Sequence, residues 1–335
     1  MTVSLSSISR RLPSTAVSLY SPWFARDRAS WNKVSPMSSS DRSLKHAPGA
    51  TGCLPQGRRV DLGHTYLHVD DWGGEPPGVL FAHPTGFLGR IWKPVIEAMR
   101  SEGFSAQVLT FDQRGHGRSA KPDSGYEWER FVEDLEALVE RLGVRGAVGV
   151  GHSAGATTIA CTAARRPEVF RRLVLIDPIL LDPVSDAEYA RRDNPLSERT
   201  RGRRLVWESR EEMFESYRSR FPYDTWTDEA LRAYVEEGTF DREDGTVELW
   251  CPGRIEAQVY ANAASMDVFA ELARIRVPTL LVRGEHSLSF AADRAKRTLE
   301  TIEQARLLEV EGTTHYVPME APERIAQIVL AEFNA

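Results

Sequence analysis

The fold is decided by the stretch Gly146-Ala-Val-Gly-Val-Gly-His-Ser-Ala-Gly155. Its apolar run leads into Gly151-His-Ser-Ala-Gly155, and a helix-forming stretch follows from Ala156 to Arg165. A serine with a glycine two residues before and two residues after it fits a sharp strand-to-helix turn that exposes the hydroxyl. Because the pentapeptide G-x-S-x-G arises by chance in roughly one chain in ten of this length, its strand-turn-helix setting carries the information.

Regular hydrophobic patterns extend on both sides of this turn, from Arg58 to the C-terminus. The clearest helix is Glu127–Leu142, where apolar residues recur at helical spacing before Gly143. Continuous apolar runs such as Leu173–Ile176 are typical of strands that are buried on both faces. The predicted strands are Arg59–Leu62, Thr65–Asp70, Gly78–Ala82, Ala106–Phe111, Ala147–Val150, Leu173–Ile176, Thr279–Val282 and Leu307–Val310, and the predicted helices are Ile91–Arg100, Glu127–Leu142, Ala156–Arg165, Ala291–Ile302 and Pro322–Glu332.

Strands that alternate with helices predict an α/β fold, with a mostly parallel eight-stranded sheet flanked by helices. The alternation stops between about Pro178 and Arg276, where the sequence is charged and aromatic. Helical patterns at Arg210–Ser219 and Asp228–Glu237 predict a helical insertion after the sixth strand. Its large aromatic residues are expected to form a small core, with some of them lining a pocket roof; they are Trp207, Tyr217, Phe221, Trp226, Tyr234 and Trp250.

The composition excludes several classes of function. The chain has 335 residues with 41% hydrophobic and 27% charged residues, which suits one large globular domain. A net charge of −6 argues against a nucleic-acid partner. No apolar stretch is long enough to span a bilayer. The three cysteines, Cys53, Cys161 and Cys251, indicate neither a disulfide framework nor a metal cluster, so a reducing, cytoplasmic location is expected.

The first 55 residues differ from the rest, since they are rich in Ser and Arg and poor in acids. They lack the apolar content for a core and are excluded from the fold, which leaves a domain over 56–335. Two interpretations stay open. The segment is either an organelle-targeting peptide, or a disordered extension with the functional chain opening near Met37.

With these elements in place, the chain from Arg58 to Ala335 resembles the α/β-hydrolase fold family. Four local matches support the resemblance, each at the carboxyl end of a predicted strand; they are His83-Pro-Thr-Gly86, Asp112-Gln-Arg-Gly-His-Gly-Arg-Ser119, Gly151-His-Ser-Ala-Gly155 and Gly312-Thr-Thr-His-Tyr-Val-Pro-Met-Glu320. The resemblance implies that the insertion, at about 178–276, is a cap over an active site.

The resemblance also implies roles for two side chains. Ser153 corresponds to the nucleophile of the strand-to-helix turn. His315 corresponds to the general base, because an imidazole with a pKa near 6.5 can both accept and return a proton near neutral pH. The oxyanion hole would consist of the backbone N–H groups of Ala154 and Thr85, since Pro84 has no N–H, and Gly86 is the next candidate after Thr85.

The acid that orients the histidine is harder to assign. The family usually places an aspartate shortly after the seventh strand, where this chain has Ser287 and Leu288. Asp177, directly after the sixth strand, is the first candidate, because some family members take their acid from that position. Glu285 is the alternative acid, and a Ser-His dyad or another carboxylate remains open.

The sequence therefore predicts a serine hydrolase that cleaves an acyl bond, in the first place a carboxylic ester, through a Ser153 acyl-enzyme. The expected substrate is a small-molecule acyl compound, in the first place the ester of a small or medium apolar carboxylic acid, and no metal or organic cofactor is expected. The oligomeric state is left open. The alternatives are an acyltransferase with the same acyl-enzyme and a non-catalytic, ligand-binding member of the fold, while a cofactor-free haloperoxidase is a weaker interpretation.

Overall fold

The computed structural model describes residues 54–181 and 195–335. Nearly all of the extension predicted over 1–55 lies outside the described residues, and so do residues 182–194 of the predicted insertion. The described chain contains no helix with the length and apolar character needed to cross a membrane.

Eleven β-strands form within the described residues, and eight of them build one sheet in the order β1-β2-β4-β3-β5-β6-β10-β11. They are β1 (Gln56–Asp61), β2 (Tyr66–Asp71), β3 (Glu75–Ala82), β4 (Ala106–Asp112), β5 (Ala147–His152), β6 (Phe170–Ile176), β7 (Val206–Trp207), β8 (Thr239–Asp241), β9 (Val247–Leu249), β10 (Thr279–Gly284) and β11 (Ala305–Val310). Strand β2 pairs antiparallel with β1 and β4, and the other pairs in the large sheet are parallel. The predicted fold class, with its mostly parallel eight-stranded sheet, is confirmed.

The helices of the described residues lie mainly in the connections between these strands. They are α1 (Lys93–Ser101), α2 (Trp128–Leu142), α3 (Ala154–Arg165), α4 (Pro195–Arg201), α5 (Arg210–Arg218), α6 (Asp228–Glu237), α7 (Gly253–Ala261), α8 (Val268–Leu272), α9 (Ala292–Thr301), α10 (Val317–Glu320) and α11 (Pro322–Asn334). The helix predicted over Ile91–Arg100 divides in two. A 3₁₀ turn at Gly89–Trp92 precedes α1, because Pro94 suits the first turn of a helix and not its interior.

The large sheet is covered on both faces, since alternate side chains of a strand point in opposite directions. In β3, Phe81 belongs to one core with residues of α1 and α11, whereas Leu80 belongs to a second core with residues of α2 and α3. Each core is continuous and almost free of solvent exposure. The sheet is therefore a rigid frame for the loops at its edges.

The insertion contains helices and also a small antiparallel sheet of order β7-β9-β8. Helices α5 and α6 form where the pattern predicts them, each with a hydroxyl cap: Ser209 accepts from the Glu212 N–H, and Thr227 accepts from the Ala230 N–H. The sequence prediction omitted the β8–β9 hairpin. Its turn contains Asp244-Gly245 with a positive φ at Gly245, a combination that favours tight hairpin turns.

Every loop singled out by the sequence follows a strand of the large sheet at its carboxyl end. Thr85 follows β3, Ser153 follows β5, Asp177 follows β6 and His315 follows β11. In sheets of this kind, ligands bind in the crevice outside the carboxyl ends of the strands. The topology therefore brings four distant parts of the chain to one edge.

We predict that Leu135→Ala lowers the free energy of unfolding by about 2–5 kcal/mol, because Leu135 on α2 is fully buried against the sheet. Glu133→Ala on the exposed side of the same helix, where Glu133 pairs with Arg130, is the control and should change it by less than about 1 kcal/mol. Urea unfolding measures both. Equal losses in the two variants would contradict the assignment of the buried face.

Candidate active site

Ser153 lies on a strained turn between β5 and α3, with φ 57° and ψ −122°. The turn needs two residues without side chains. A Cβ on Gly151 would lie 2.5 Å from Ala156 Cα, and a Cβ on Gly155 would lie 2.4 Å from the Ala82 carbonyl oxygen. Real Cβ atoms essentially never approach other atoms so closely. The glycines therefore let β3, β5 and α3 pack tightly enough to hold the strained serine.

A continuous chain of hydrogen bonds joins three of the predicted site residues. The distance from Ser153 Oγ to His315 Nε2 is 3.1 Å, and that from His315 Nδ1 to Asp177 Oδ1 is 2.7 Å. Asp177 is fully buried, and Ser153 and His315 are more than nine-tenths buried. A carboxylate can only accept, so Nδ1 carries the proton and Nε2 is left to accept from the serine hydroxyl. This is the arrangement needed for the imidazole to remove the hydroxyl proton.

Asp177 is held by the loop that follows β10. Its carboxylate accepts from Ser287 Oγ at 2.7 Å and from the Gly284 N–H at 3.2 Å. Its own N–H donates to the Val282 carbonyl at 2.7 Å, which extends the β6–β10 pairing. Ser287 thus occupies the place where the acid was expected, and it donates to the carboxylate that comes from the neighbouring strand. Sequence reasoning noted the serine at this position but missed its contact with Asp177.

Glu285, the alternative acid, lies in the loop after β10 and points to the start of the loop after β11. Its Oε2 accepts from the Gly312 N–H at 2.8 Å and lies 3.8 Å from the exposed His286 ring. Glu285 thereby joins the loops after β10 and β11. The carboxylate that the structure brings to His315 Nδ1 is that of Asp177.

Two backbone N–H groups are available to a ligand, and their residues line the same small cavity. These are the groups of Ala154 and Thr85, and within residues 54–181 and 195–335 neither has an acceptor. The N–H of Gly86 is occupied, since it donates to His116 Nε2 at 3.0 Å. Of the residues that follow Pro84, Thr85 therefore has the free donor.

Two buried histidines hold this loop in place. His83 Nε2 accepts from the Gln113 N–H at 2.9 Å while Nδ1 donates to the Pro84 carbonyl, and His116 bonds in the same way to Gly86 and the Arg114 carbonyl. Burial lowers the pKa of His83 to about 4 and that of His116 to about 3. Both rings are therefore neutral at pH 7, as an acceptor nitrogen facing an N–H requires.

The aromatic residues of the insertion divide between its own core and the roof of the site. Trp226 and Tyr234 contact Phe87 in the loop that follows β3, residues 83–88, which we call the Thr85 loop. Trp226 also contacts Tyr316, which follows His315. Trp207 packs against Tyr217, Trp250 packs against Phe240, and Phe221 is half-exposed. Trp226 and Tyr234 thus reach the loop after β3, and Trp250 reaches the loop after β4, where the charged groups of Arg118 and Lys121 lie over its ring.

A profile described as "Alpha/beta hydrolase family" matches residues 79–328, which is most of the chain. The chain belongs to the alpha/beta hydrolase family. The predicted resemblance is confirmed.

Three relatives of this alpha/beta hydrolase illustrate the range of activities around it. A 2-(acetamidomethylene)succinate hydrolase from Mesorhizobium japonicum is 29% identical over 79% of this chain and 91% of its own length. A bifunctional esterase/perhydrolase from Acinetobacter calcoaceticus is 28% identical over 79% of this chain and 95% of its own. A non-heme chloroperoxidase from Streptomyces lividans is 29% identical over 80% of this chain and 95% of its own.

Solved structures extend the similarity to three dimensions. The crystal structure of E-2-(acetamidomethylene)succinate hydrolase matches with a TM-score of 0.71 and 27% identity, covering 84% of this chain and all of that one. A thioesterase domain from the curacin biosynthetic pathway matches with a TM-score of 0.69 and 20% identity, over 82% of this chain and 99% of that one, and it shows the fold alone. Together the relatives support a hydrolase activity.

We predict that His116 makes the alpha/beta hydrolase less stable in mild acid. The folded-state pKa near 3 lies below the unfolded value near 6.5, so the unfolded chain binds a proton that the folded chain excludes. The free energy of unfolding therefore decreases as the pH falls below about 6.5. The contribution of His116 to this decrease is about 2 kcal/mol between pH 7 and pH 5.

Urea unfolding at these two pH values measures the effect. His116→Gln keeps a neutral polar side chain at both pH values and should recover about 2 kcal/mol of the acid-induced loss. His286→Gln, at a half-exposed position, is the control and should recover nothing. An unchanged pH dependence in His116→Gln would contradict the prediction.

Proposed function

We propose that this alpha/beta hydrolase cleaves an acyl bond, in the first place a carboxylic ester, through a covalent acyl-enzyme on Ser153. The observation that carries the proposal is the hydrogen-bond chain from Ser153 Oγ through His315 to Asp177. A hydroxyl attacks a carbonyl carbon once a neighbouring base removes its proton. The esterase named among the relatives supports the same reaction class.

In the first half of the reaction, Ser153 Oγ attacks the carbonyl carbon as its proton passes to His315 Nε2. The carbonyl oxygen becomes an oxyanion that accepts hydrogen bonds from the N–H groups of Thr85 and Ala154. Asp177 stabilises the imidazolium because its carboxylate lies 2.7 Å from Nδ1. The intermediate then collapses, the bond to the leaving group breaks, and Nε2–H gives its proton to the leaving oxygen.

In the second half, His315 removes a proton from water while the water oxygen attacks the acyl carbon. The bond from the carbonyl carbon to Ser153 Oγ breaks, the serine takes back the proton from Nε2, and the carboxylic acid leaves. The insertion acts as a cap, since Trp226 and Tyr234 stand over the loop that supplies Thr85. An alcohol in place of water would make the protein an acyltransferase.

Hydrogen peroxide is a second candidate for the acceptor in this step. Relatives named as a perhydrolase and as a non-heme chloroperoxidase favour it. Attack of peroxide on the acyl-enzyme releases a peracid and returns the proton to Ser153, so the same residues serve both reactions.

We predict that a fluorophosphonate probe labels the protein at Ser153 and that Ser153→Ala abolishes the labelling. Asp177→Asn should lower kcat for a p-nitrophenyl ester by about 10²–10⁴-fold, because the amide no longer fixes the histidine tautomer or stabilises the imidazolium. Asparagine suits this position, where φ is 42°, since it tolerates a left-handed backbone.

The matched control is Glu285→Gln, which should keep kcat within about threefold, because Glu285 contacts the Gly312 N–H. Absence of labelling in the folded protein would leave the non-catalytic, ligand-binding alternative. A tenfold loss in Glu285→Gln with none in Asp177→Asn would assign the acid to Glu285.

A relocated acid provides a separate prediction. Ser287 Oγ lies 2.7 Å from Asp177 Oδ1, so a carboxylate at position 287 can reach His315 Nδ1 from the neighbouring strand. The double variant Asp177→Asn/Ser287→Asp should therefore recover at least about tenfold of the kcat lost in Asp177→Asn, measured with the same ester. If Ser287→Asp adds nothing, a carboxylate at position 287 does not replace that of Asp177, which contradicts this prediction.

A further inference from the structure

A buried ion pair lies in the insertion above the Thr85 loop. Arg203, between α4 and β7, donates from Nη1 to Oε2 of Glu256 on α7 at 2.6 Å. The side chains are 15% and 6% exposed, respectively. Removing two charges from water costs several kcal/mol per ion, so a pair of this kind needs hydrogen bonds for its remaining polar atoms.

Arg203 has such partners. Its Nη2 donates to the hydroxyls of Tyr234 at 2.9 Å and Tyr217 at 3.1 Å. Burial raises the pKa of Tyr234, which keeps its hydroxyl neutral. The guanidinium is therefore held on one side by a carboxylate and on the other by two hydroxyls.

Glu256 has a partner for only one of its two oxygens. Oε2 is bound to Arg203, whereas Oε1 has no hydrogen-bond donor among the residues that the structure describes. Oε1 lies against Gly86, because a Cβ on that glycine would be only 2.6 Å from it. Gly86 follows Thr85, whose N–H is free beside the nucleophile. The unpartnered oxygen of a side chain that is only 6% exposed thus faces the loop where the substrate carbonyl is proposed to bind.

We propose that Glu256 Oε1 accepts a hydrogen bond from the substrate, so that the preferred substrate is an acyl compound with an amide N–H or a hydroxyl a few bonds from the scissile carbonyl. This inference rests on the proposed function, since it takes Thr85 as an oxyanion donor. Glu256 is then a specificity-determining residue, and Arg203 holds its carboxylate in position.

The charges around Glu256 select a neutral donor over a charged one. A substrate carboxylate would be repelled by Oε1, and the Nη groups of Arg203 are already occupied by Glu256, Tyr217 and Tyr234. A substrate ammonium would leave a net positive charge in a buried site, because Arg203 already neutralises Glu256, and burying an uncompensated charge is costly. An amide N–H or a hydroxyl satisfies Oε1 without changing the net charge.

The test uses two pairs of esters that differ in one donor. Ethyl N-acetylglycinate has an N–H where ethyl 4-oxopentanoate has a methylene, and 2-hydroxyethyl acetate has a hydroxyl where propyl acetate has a methyl. The first pair places the donor on the acyl side and the second on the alcohol side. The full-length protein should prefer the donor ester in at least one pair by about tenfold or more in kcat/KM, measured by proton release.

Glu256→Gln replaces the hydrogen-bond acceptor beside Gly86 with a donor. The amide oxygen of glutamine can remain on Arg203, which places an NH₂ group, a donor, beside Gly86. The variant should therefore lose the preference, reducing kcat/KM for the donor ester by at least about tenfold while that for its matched partner stays within about threefold. Glu243→Gln, at an exposed glutamate of the same insertion, should keep the preference.

The outcomes separate this inference from the proposed function. No preference in either pair, together with normal fluorophosphonate labelling and ester turnover, overturns the role of Glu256 and leaves the Ser153 mechanism intact. Equal losses for both esters of a pair in Glu256→Gln also overturn it, since they indicate a purely structural ion pair. No labelling and no turnover in the unaltered protein overturn both. The ratio of kcat/KM for the two esters of a pair, measured on the unaltered protein, tests the inference even if Glu256→Gln does not fold.

Discussion

One buried carboxylate, that of Asp177, ties together the ends of three strands. It follows β6, it accepts from Ser287 and the Gly284 N–H at the end of β10, and it accepts from His315 after β11. Removing water from an ionised carboxylate is costly unless hydrogen bonds replace the lost solvation. Three donors converge on Asp177, so the interactions that stabilise the buried charge also fix the position of the imidazole next to Ser153.

Two residues of the site have strained backbone conformations that the surrounding sheet stabilises. Ser153 and Asp177 are the described residues other than glycine with a positive φ. Each such residue costs about 1–3 kcal/mol and persists only where the surroundings determine it. At Ser153 the surroundings are the close contacts of Gly151 and Gly155 with α3 and β3, and at Asp177 they are the N–H bond to Val282 and the carboxylate contacts. The strain lies where the two side chains must face His315.

The strands of the large sheet could be predicted because most of them contain a short apolar run of neighbouring residues. Runs such as Leu173–Ile176 are typical of buried strands in a parallel sheet, and the loops after them carry distinctive motifs. The β8–β9 hairpin was missed because its strands are only three residues long. The contact of Ser287 with Asp177 could not be derived, since it depends on the register that pairs Ile176 with Val282. The Arg203–Glu256 pair depends on how α4 packs against α7, which no local pattern specifies.

The carboxylates of Asp177 and Glu256 have positively charged or chargeable partners of different kinds. In the proposed mechanism, Asp177 faces a histidine that becomes positively charged when it takes the serine proton. This attraction would grow as the oxyanion forms and would favour the transition state over the bound substrate. Glu256 faces Arg203, which is charged throughout, so this attraction is constant and cannot accelerate the reaction. A constant charge pair beside the Thr85 loop can still discriminate among substrates through the oxygen that Arg203 leaves unbound. In the proposed function, a carboxylate therefore contributes to catalysis beside His315, whose charge changes during the reaction, and to substrate selection beside Arg203, whose charge does not.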